Sequence, residues 1–214
     1  MFLLERLSIK IGHTVAIRLN LDNNHEEILT YGAFGLLQTF FSIFLIMTFG
    51  FLFHVFFESL VISFSISILR KYSGGVHSCS PNRCALIGTF VCVSFSLFTI
   101  FILKTLPLTI IFLLIIISFI YSYYYIHKHA PVDSSAKPIN NILKRQKLKQ
   151  SSLIIVCILY GIISILLLLY INSSNINFLI YAFCISIGTT WQTFTLTYLG
   201  HKFIHKIDSI SIKL

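Results

Sequence analysis

VFFESLVISFSISIL, residues 55–69, decides how this chain is threaded. A helix needs about 20 residues to cross a hydrocarbon core of roughly 30 Å. This stretch is shorter and carries Glu58, so hydropathy alone leaves it free to cross, re-enter or lie along an interface. Its surroundings are plainer. Of 214 residues, 56% are hydrophobic and 11% charged, and the mean hydropathy is +0.87, the composition of an integral membrane protein. Five further runs, 31–53, 84–103, 105–126, 151–171 and 178–200, are uncharged and long enough to span.

The basic residues resolve the short segment, because flanking Lys and Arg are retained on the cytoplasmic side. If 55–69 crosses, every one of the 16 Lys and Arg except Lys104 falls on the side holding the N-terminal region, residues 70–83, residues 127–150 and the C-terminal tail. If it does not cross, the N-terminal region and the 70–83 stretch end on opposite sides and the segregation is lost. The expected fold is an all-α integral membrane protein, a single polytopic domain over 1–214. About six transmembrane helices follow an N-terminal amphipathic helix, and both termini are cytoplasmic. The net charge of +9 then belongs to short juxtamembrane segments facing anionic lipid rather than nucleic acid. No loop is long enough to bury a soluble core.

Residues 1–30 are too polar for a signal peptide. Leu3, Leu4, Leu7, Ile11 and Val15 recur at helical spacing, with Arg6, Lys10 and His13 on another face, as in a helix lying in the interface or packed on the rest of the protein. Asp22-Asn23-Asn24 ends that helix before the first span. Asn172 to Asn175 reads as a tight outer turn, and Thr105-Leu106-Pro107 separates two spans. The polar working surface is therefore cytoplasmic. Cys92, Cys157 and Cys184 fall inside spans, while Cys79 and Cys84 lie on the reducing cytoplasmic side, where no structural disulfide is expected.

The 70–84 loop carries the chemistry. Gly74-Gly75 precedes His77, and Cys84 follows where the chain re-enters the membrane, at or before the first turn of a span. A helix N-terminus presents unpaired N–H groups and partial positive charge, which suits an anionic nucleophile. His77 can act as the base, and the glycine pair lets it turn back toward Cys84. Together they make a Cys/His dyad that needs no metal or cofactor. Cys79, two residues from His77, competes as nucleophile or resolving thiol.

Arg70, Gly74-Gly75-x-His77, six residues and Cys84 resemble the accessory gene regulator protein B (AgrB) family of bacterial membrane endopeptidases. The chain length, polar N-terminal helix, six hydrophobic segments, and the stretch from Ala130-Pro131-Val132 through Lys137-Pro138 to the basic run Lys144 to Lys149 are similar too. The resemblance implies that Cys84 is the nucleophile and His77 its partner, with Arg70, Gly74 and Gly75 supporting the dyad or holding substrate. It implies a multi-pass bacterial cell-membrane protein whose partner is an AgrD-like precursor peptide, cleaved and closed into a cyclic quorum-sensing peptide. Membrane lipids, and in one option a second copy of the chain as a homodimer, complete the expected partners.

Other readings stay open on the residues alone. His77-x-Cys79-x4-Cys84 supplies three zinc ligands but no fourth and no Cys-x2-Cys knuckle. A transporter with a structural loop predicts that Cys84 tolerates alanine, and a metal or redox sensor predicts that Cys79 matters as much as Cys84. His127, His129, His201, His205 and the tyrosines at 121–125 read as interfacial anchors. Glu58 is either functional or snorkels to the outer surface. The basic run is a topology signal, or holds an acidic part of a peptide.

Overall fold

The computed structural model describes residues 3–76, 80–133 and 141–211. They form α1 (Leu3–Arg18), α2 (Asn23–Leu52), α3 (Phe56–Ser73), α4 (Pro81–Thr105), α5 (Leu108–His129), α6 (Ile142–Ser173), α7 (Ile176–Phe194) and α8 (Tyr198–Ser211). The chain divides into two compact units, Met1–Leu45 and Ile46–Leu214.

In the first unit α1 folds back on the start of α2. The Asp22 carboxylate accepts the His25 N–H at 2.9 Å, a cap that lets α2 begin at Asn23 rather than at the apolar run from Tyr31. His13 Nδ1 lies 3.0 Å from Glu26 Oε1. Gly12 sits so close to Thr30 that an added Cβ would meet the Thr30 amide nitrogen at 2.9 Å.

The second unit is built around α7, with α3 packed along it. α2, α4, α5 and α6 are long and apolar enough to cross a membrane, whereas α3 and α7 do not qualify on length and composition alone. Yet α7 packs against α3, α4, α5 and α6. Helices shielded from lipid by their neighbours need little hydropathy. They can carry the small and hydroxyl residues that allow close packing, and Ser186, Gly188, Thr189, Gln192 and Thr193 of α7 are all buried. At Gly188 a Cβ would stand 3.0 Å from the Ile62 carbonyl oxygen. The outer helices instead expose large apolar side chains, among them Phe90, Phe101, Ile116, Ile120, Ile158 and Leu168. In a water-soluble protein such a surface would aggregate; here it is the lipid face.

The contacts between α3 and α7 set their direction. Glu58 is within electrostatic range of Tyr181, Ser65 abuts Gly188, and Ser73 meets Gln192. Both helices therefore run the same way, side by side, over 18 and 19 residues respectively. At 1.5 Å per residue each is about 28 Å long, close to the hydrocarbon thickness.

The turns follow local chemistry. Ser174 ends α6 in the left-handed region (φ 54°), and the Asn175 side chain accepts the Asn177 N–H at 3.0 Å to start α7. Asn141 caps α6 in the same way, accepting from Leu143 N–H at 2.9 Å. The basic run Lys144 to Lys149 thus stands on the first turns of α6. Inside the bundle, Ser118 Oγ contacts Tyr160 OH at 2.7 Å and Ser186 Oγ at 2.6 Å, joining α5, α6 and α7. Ser118→Ala is expected to cost about 1 kcal/mol, read as a small drop in the thermal unfolding midpoint in detergent; an unchanged midpoint would make the cluster energetically silent.

Candidate active site

The C-terminal end of α3 carries the first site residue. Arg70 lies in its last turn, and Gly74 ends the helix, its N–H donating to the Arg70 carbonyl at 3.0 Å. The backbone then takes a course closed to other residues: Gly74 has φ 68° and ψ −147°, and Gly75 has φ 130°. Two neighbours explain why. On one side runs the chain after α5, where Val132 pairs with Gly74 in a single parallel bridge and its N–H donates to the Ser73 carbonyl at 2.9 Å. On the other stands the end of α7, where a Cβ on Gly75 would meet Thr195 Oγ1 at 2.9 Å. The glycines let three segments, after α3, after α5 and after α7, close on one another at one end of the bundle.

Polar side chains hold this junction. Gln192, fully buried, donates from Nε2 to the Gly74 carbonyl at 2.8 Å and to Ser73 Oγ at 3.2 Å. The Arg70 Nη2 group donates to the Val76 carbonyl. Val76 itself is buried, and its N–H points at the Thr195 carbonyl, 3.4 Å away. Two buried atoms of these junction side chains have no hydrogen-bond partner among the described residues, Arg70 Nε and Gln192 Oε1.

Cys84 reaches the same place from α4. Ser80 is the extended residue before the helix, Pro81 opens the first turn without needing a hydrogen-bond donor, and the Cys84 N–H donates to the Ser80 carbonyl at 3.0 Å. Its thiol is free and half-buried. Burial pushes the pKa of Arg70 below its usual value, and electrostatic interaction with Cys84 works in the opposite direction. The guanidinium that holds Val76 therefore lies within electrostatic range of Cys84.

Of the residues singled out from sequence, the structure brings Arg70, Gly74 and Gly75 into one junction and sets Cys84 within electrostatic reach of Arg70. His77 and Cys79 lie outside the described residues. The other cysteines stand apart in character: Cys92 and Cys184 are buried in the bundle and Cys157 is exposed on the face of α6. Of the paired histidines, His129 stacks on Tyr125 with ring centroids 5.8 Å apart. Beside the junction, α4, α5 and α7 enclose an apolar groove of about 690 Å³, lined by Phe98, Leu114, Trp191 and Phe194 among others.

The model of the family described as Accessory gene regulator B matches residues 5–196, a span that includes every part of this junction. The chain belongs to the AgrB family. Two AgrB-like proteins of Clostridium perfringens are similar over their whole length. The one from strain SM101 is 38% identical over 214 residues, covering 99% of this chain and 100% of the relative. The one from strain 13 is 37% identical with the same coverage. No solved structure matches the chain. As an AgrB-family protein with four long apolar helices, this is a multi-pass bacterial membrane protein.

Sequence reading missed Gln192 as part of this junction. The signal was available: it is the lone amide in the last apolar run, a polar group that a membrane interior tolerates only with a partner. Nothing in the sequence said that the partner was the Gly74 carbonyl.

Proposed function

We propose that this protein is a membrane cysteine endopeptidase that cleaves an AgrD-like precursor peptide at the cytoplasmic face, within the quorum-sensing pathway its family serves. The reading rests on one observation: a free, half-buried thiol on the first turn of a membrane helix, within electrostatic range of the guanidinium that also grips the backbone one residue before His77. His77 takes the thiol proton and the sulfur attacks the scissile carbonyl. Positive charge at Arg70 and the N–H groups opening α4 stabilise the oxyanion. As the C–N bond breaks, His77 returns the proton to the departing amine, and a thioester on Cys84 remains.

The precursor's own thiol then attacks that thioester, closing a thiolactone and freeing Cys84 as a thiol. Exchange of one thioester for another is near neutral in energy, so the ring forms only if water is kept out. The membrane surroundings supply that exclusion, and the intramolecular attacker gains from effective concentration. The apolar groove beside the junction suits the apolar face of an amphipathic precursor held in the interface.

The topology that goes with this mechanism has six crossings and cytoplasmic termini. The ends of α3, α5 and α7 meet in one junction, so α6 and α7 together make a return trip, and α3 runs parallel to α7. Counting both as spans places the junction on the side rich in Lys and Arg.

The test is mass spectrometry of a co-expressed AgrD-like peptide. Truncated or cyclised product from wild type and Cys79→Ala, and none from His77→Ala, is the expected outcome. Product that persists in His77→Ala, or that needs Cys79, would overturn the dyad in favour of a structural loop or a Cys79-centred redox or metal site.

A further inference from the structure

The peptide groups on either side of Gly75 are both held by the end of α7. Gln192 Nε2 donates to the Gly74 carbonyl at 2.8 Å, and the Thr195 carbonyl faces the Val76 N–H at 3.4 Å. Arg70 Nη2 donates to the Val76 carbonyl. His77 is the next residue along the chain. A stretch with positive φ at Gly74 and Gly75 has no intrinsic preference to keep it in place. Its course is set by these partners.

Gln192 is an unusual choice for a mere space-filler. It is fully buried in the most enclosed helix of the bundle, and its Oε1 has no partner among the described residues. Burying an amide with half its hydrogen-bonding capacity unmet is unfavourable, so a leucine would serve packing better. What leucine lacks is the N–H donor aimed at the Gly74 carbonyl.

We propose that Gln192 is a positioning residue for the Cys/His chemistry, fixing through its bond to the Gly74 carbonyl the backbone that delivers His77. This rests on the peptidase reading above. The donor, not the volume, is what matters: removing it frees the Gly74–Val76 backbone and misplaces the base relative to the thiol, while the helices stay packed.

The test uses the full-length protein in proteoliposomes, with a synthetic AgrD-like peptide as probe: an amphipathic N-terminal helix, an internal cysteine and an acidic C-terminal segment. Gln192→Leu is expected to lower the cleavage rate at saturating peptide about ten- to hundredfold, the scale of a small misplacement of a reacting group. Its KM and its yield as a monodisperse species in detergent should stay near wild type. Gln192→Glu supplies the signature. A buried carboxyl has a raised pKa. In its protonated form it donates to the Gly74 carbonyl, and in its ionised form it repels it. The ratio of Gln192→Glu to wild-type rate should therefore fall as pH rises between about 6 and 9, whereas the Gln192→Leu ratio stays flat.

If both variants cleave within twofold of wild type, or the Gln192→Glu ratio is flat with pH, the positioning role is wrong. If Gln192→Leu does not fold, the pH dependence of Gln192→Glu decides alone. Cys84→Ala separates the two levels: cleavage that survives it, or a wild type that does not cleave, overturns the peptidase reading and this proposal with it. A dead Cys84→Ala beside unaffected Gln192 variants overturns this proposal only.

Discussion

Cys84→Ala is expected to lower precursor cleavage by at least about a thousandfold, the scale seen when a covalent nucleophile is deleted, and to leave the bundle intact. The two halves of that expectation have separate reasons. The thiol is half-buried and free, on a turn already shaped by Pro81 and by the bond from the Cys84 N–H to Ser80. Losing one sulfur atom there should cost less than about 1 kcal/mol. Among the described residues no other thiol can take its place: Cys92 and Cys184 are buried deep in the helix pack and Cys157 looks outward from α6. Peptide mass spectrometry reads the first half, and the thermal unfolding midpoint in detergent reads the second. Intact-protein mass adds a direct check, since wild type mixed with peptide should carry a hydroxylamine-sensitive adduct that Cys84→Ala lacks. Cleavage within tenfold of wild type would remove Cys84 from the mechanism.

Gly74→Ala is expected to have the largest effect on folding. Its φ of 68° and ψ of −147° lie in a region that glycine alone enters readily, at a cost of about 1–3 kcal/mol for other residues. Space makes matters worse, because the new Cβ would be driven into the Val132 carbonyl oxygen. Backbone cannot rotate aside as a flexible side chain can. Relief requires the Val132 strand to move, breaking the Val132 N–H bond to Ser73 and disturbing the Gln192 bond to Gly74, each worth about 1 kcal/mol. A total of about 3–5 kcal/mol should lower the unfolding midpoint by several degrees and depress cleavage as well. Gly88→Ala is the control, since its Cβ would meet nothing within 4 Å. Equal behaviour of the two variants would mean that the junction is not what holds α3, α5 and α7 together.

The legible parts of the site were those with local causes. Arg70, the glycine pair, His77 and Cys84 sit within fifteen consecutive residues, so their residue types and spacing could be read directly. The breaks at Thr105-Leu106-Pro107 and near Ser174 were legible for the same reason, as proline and polar turn residues interrupt apolar runs. Helix ends set by single capping side chains were less so: Asp22 and Asn141 extend α2 and α6 well beyond their apolar runs. The role of the glycines also shifted. Sequence suggested freedom for His77 to turn; the structure adds a steric demand, from Val132 on one side and Thr195 on the other.

Sequence alone determined that this chain lives in a membrane, where its apolar runs begin and end to within a few turns, and which short polar stretch carries a thiol and an imidazole. Those properties follow from local composition and from the price of polar groups in hydrocarbon. Only the tertiary structure decided that α7, which does not qualify as a span on length and composition, is the enclosed centre of the second unit, and that Gln192, more than a hundred residues away, holds the Gly74 carbonyl. Hydropathy measures what a helix would meet if it faced lipid on every side, and a helix enclosed by others meets none. Which polar group finds which carbonyl is settled by packing geometry across the bundle, and no local pattern encodes it.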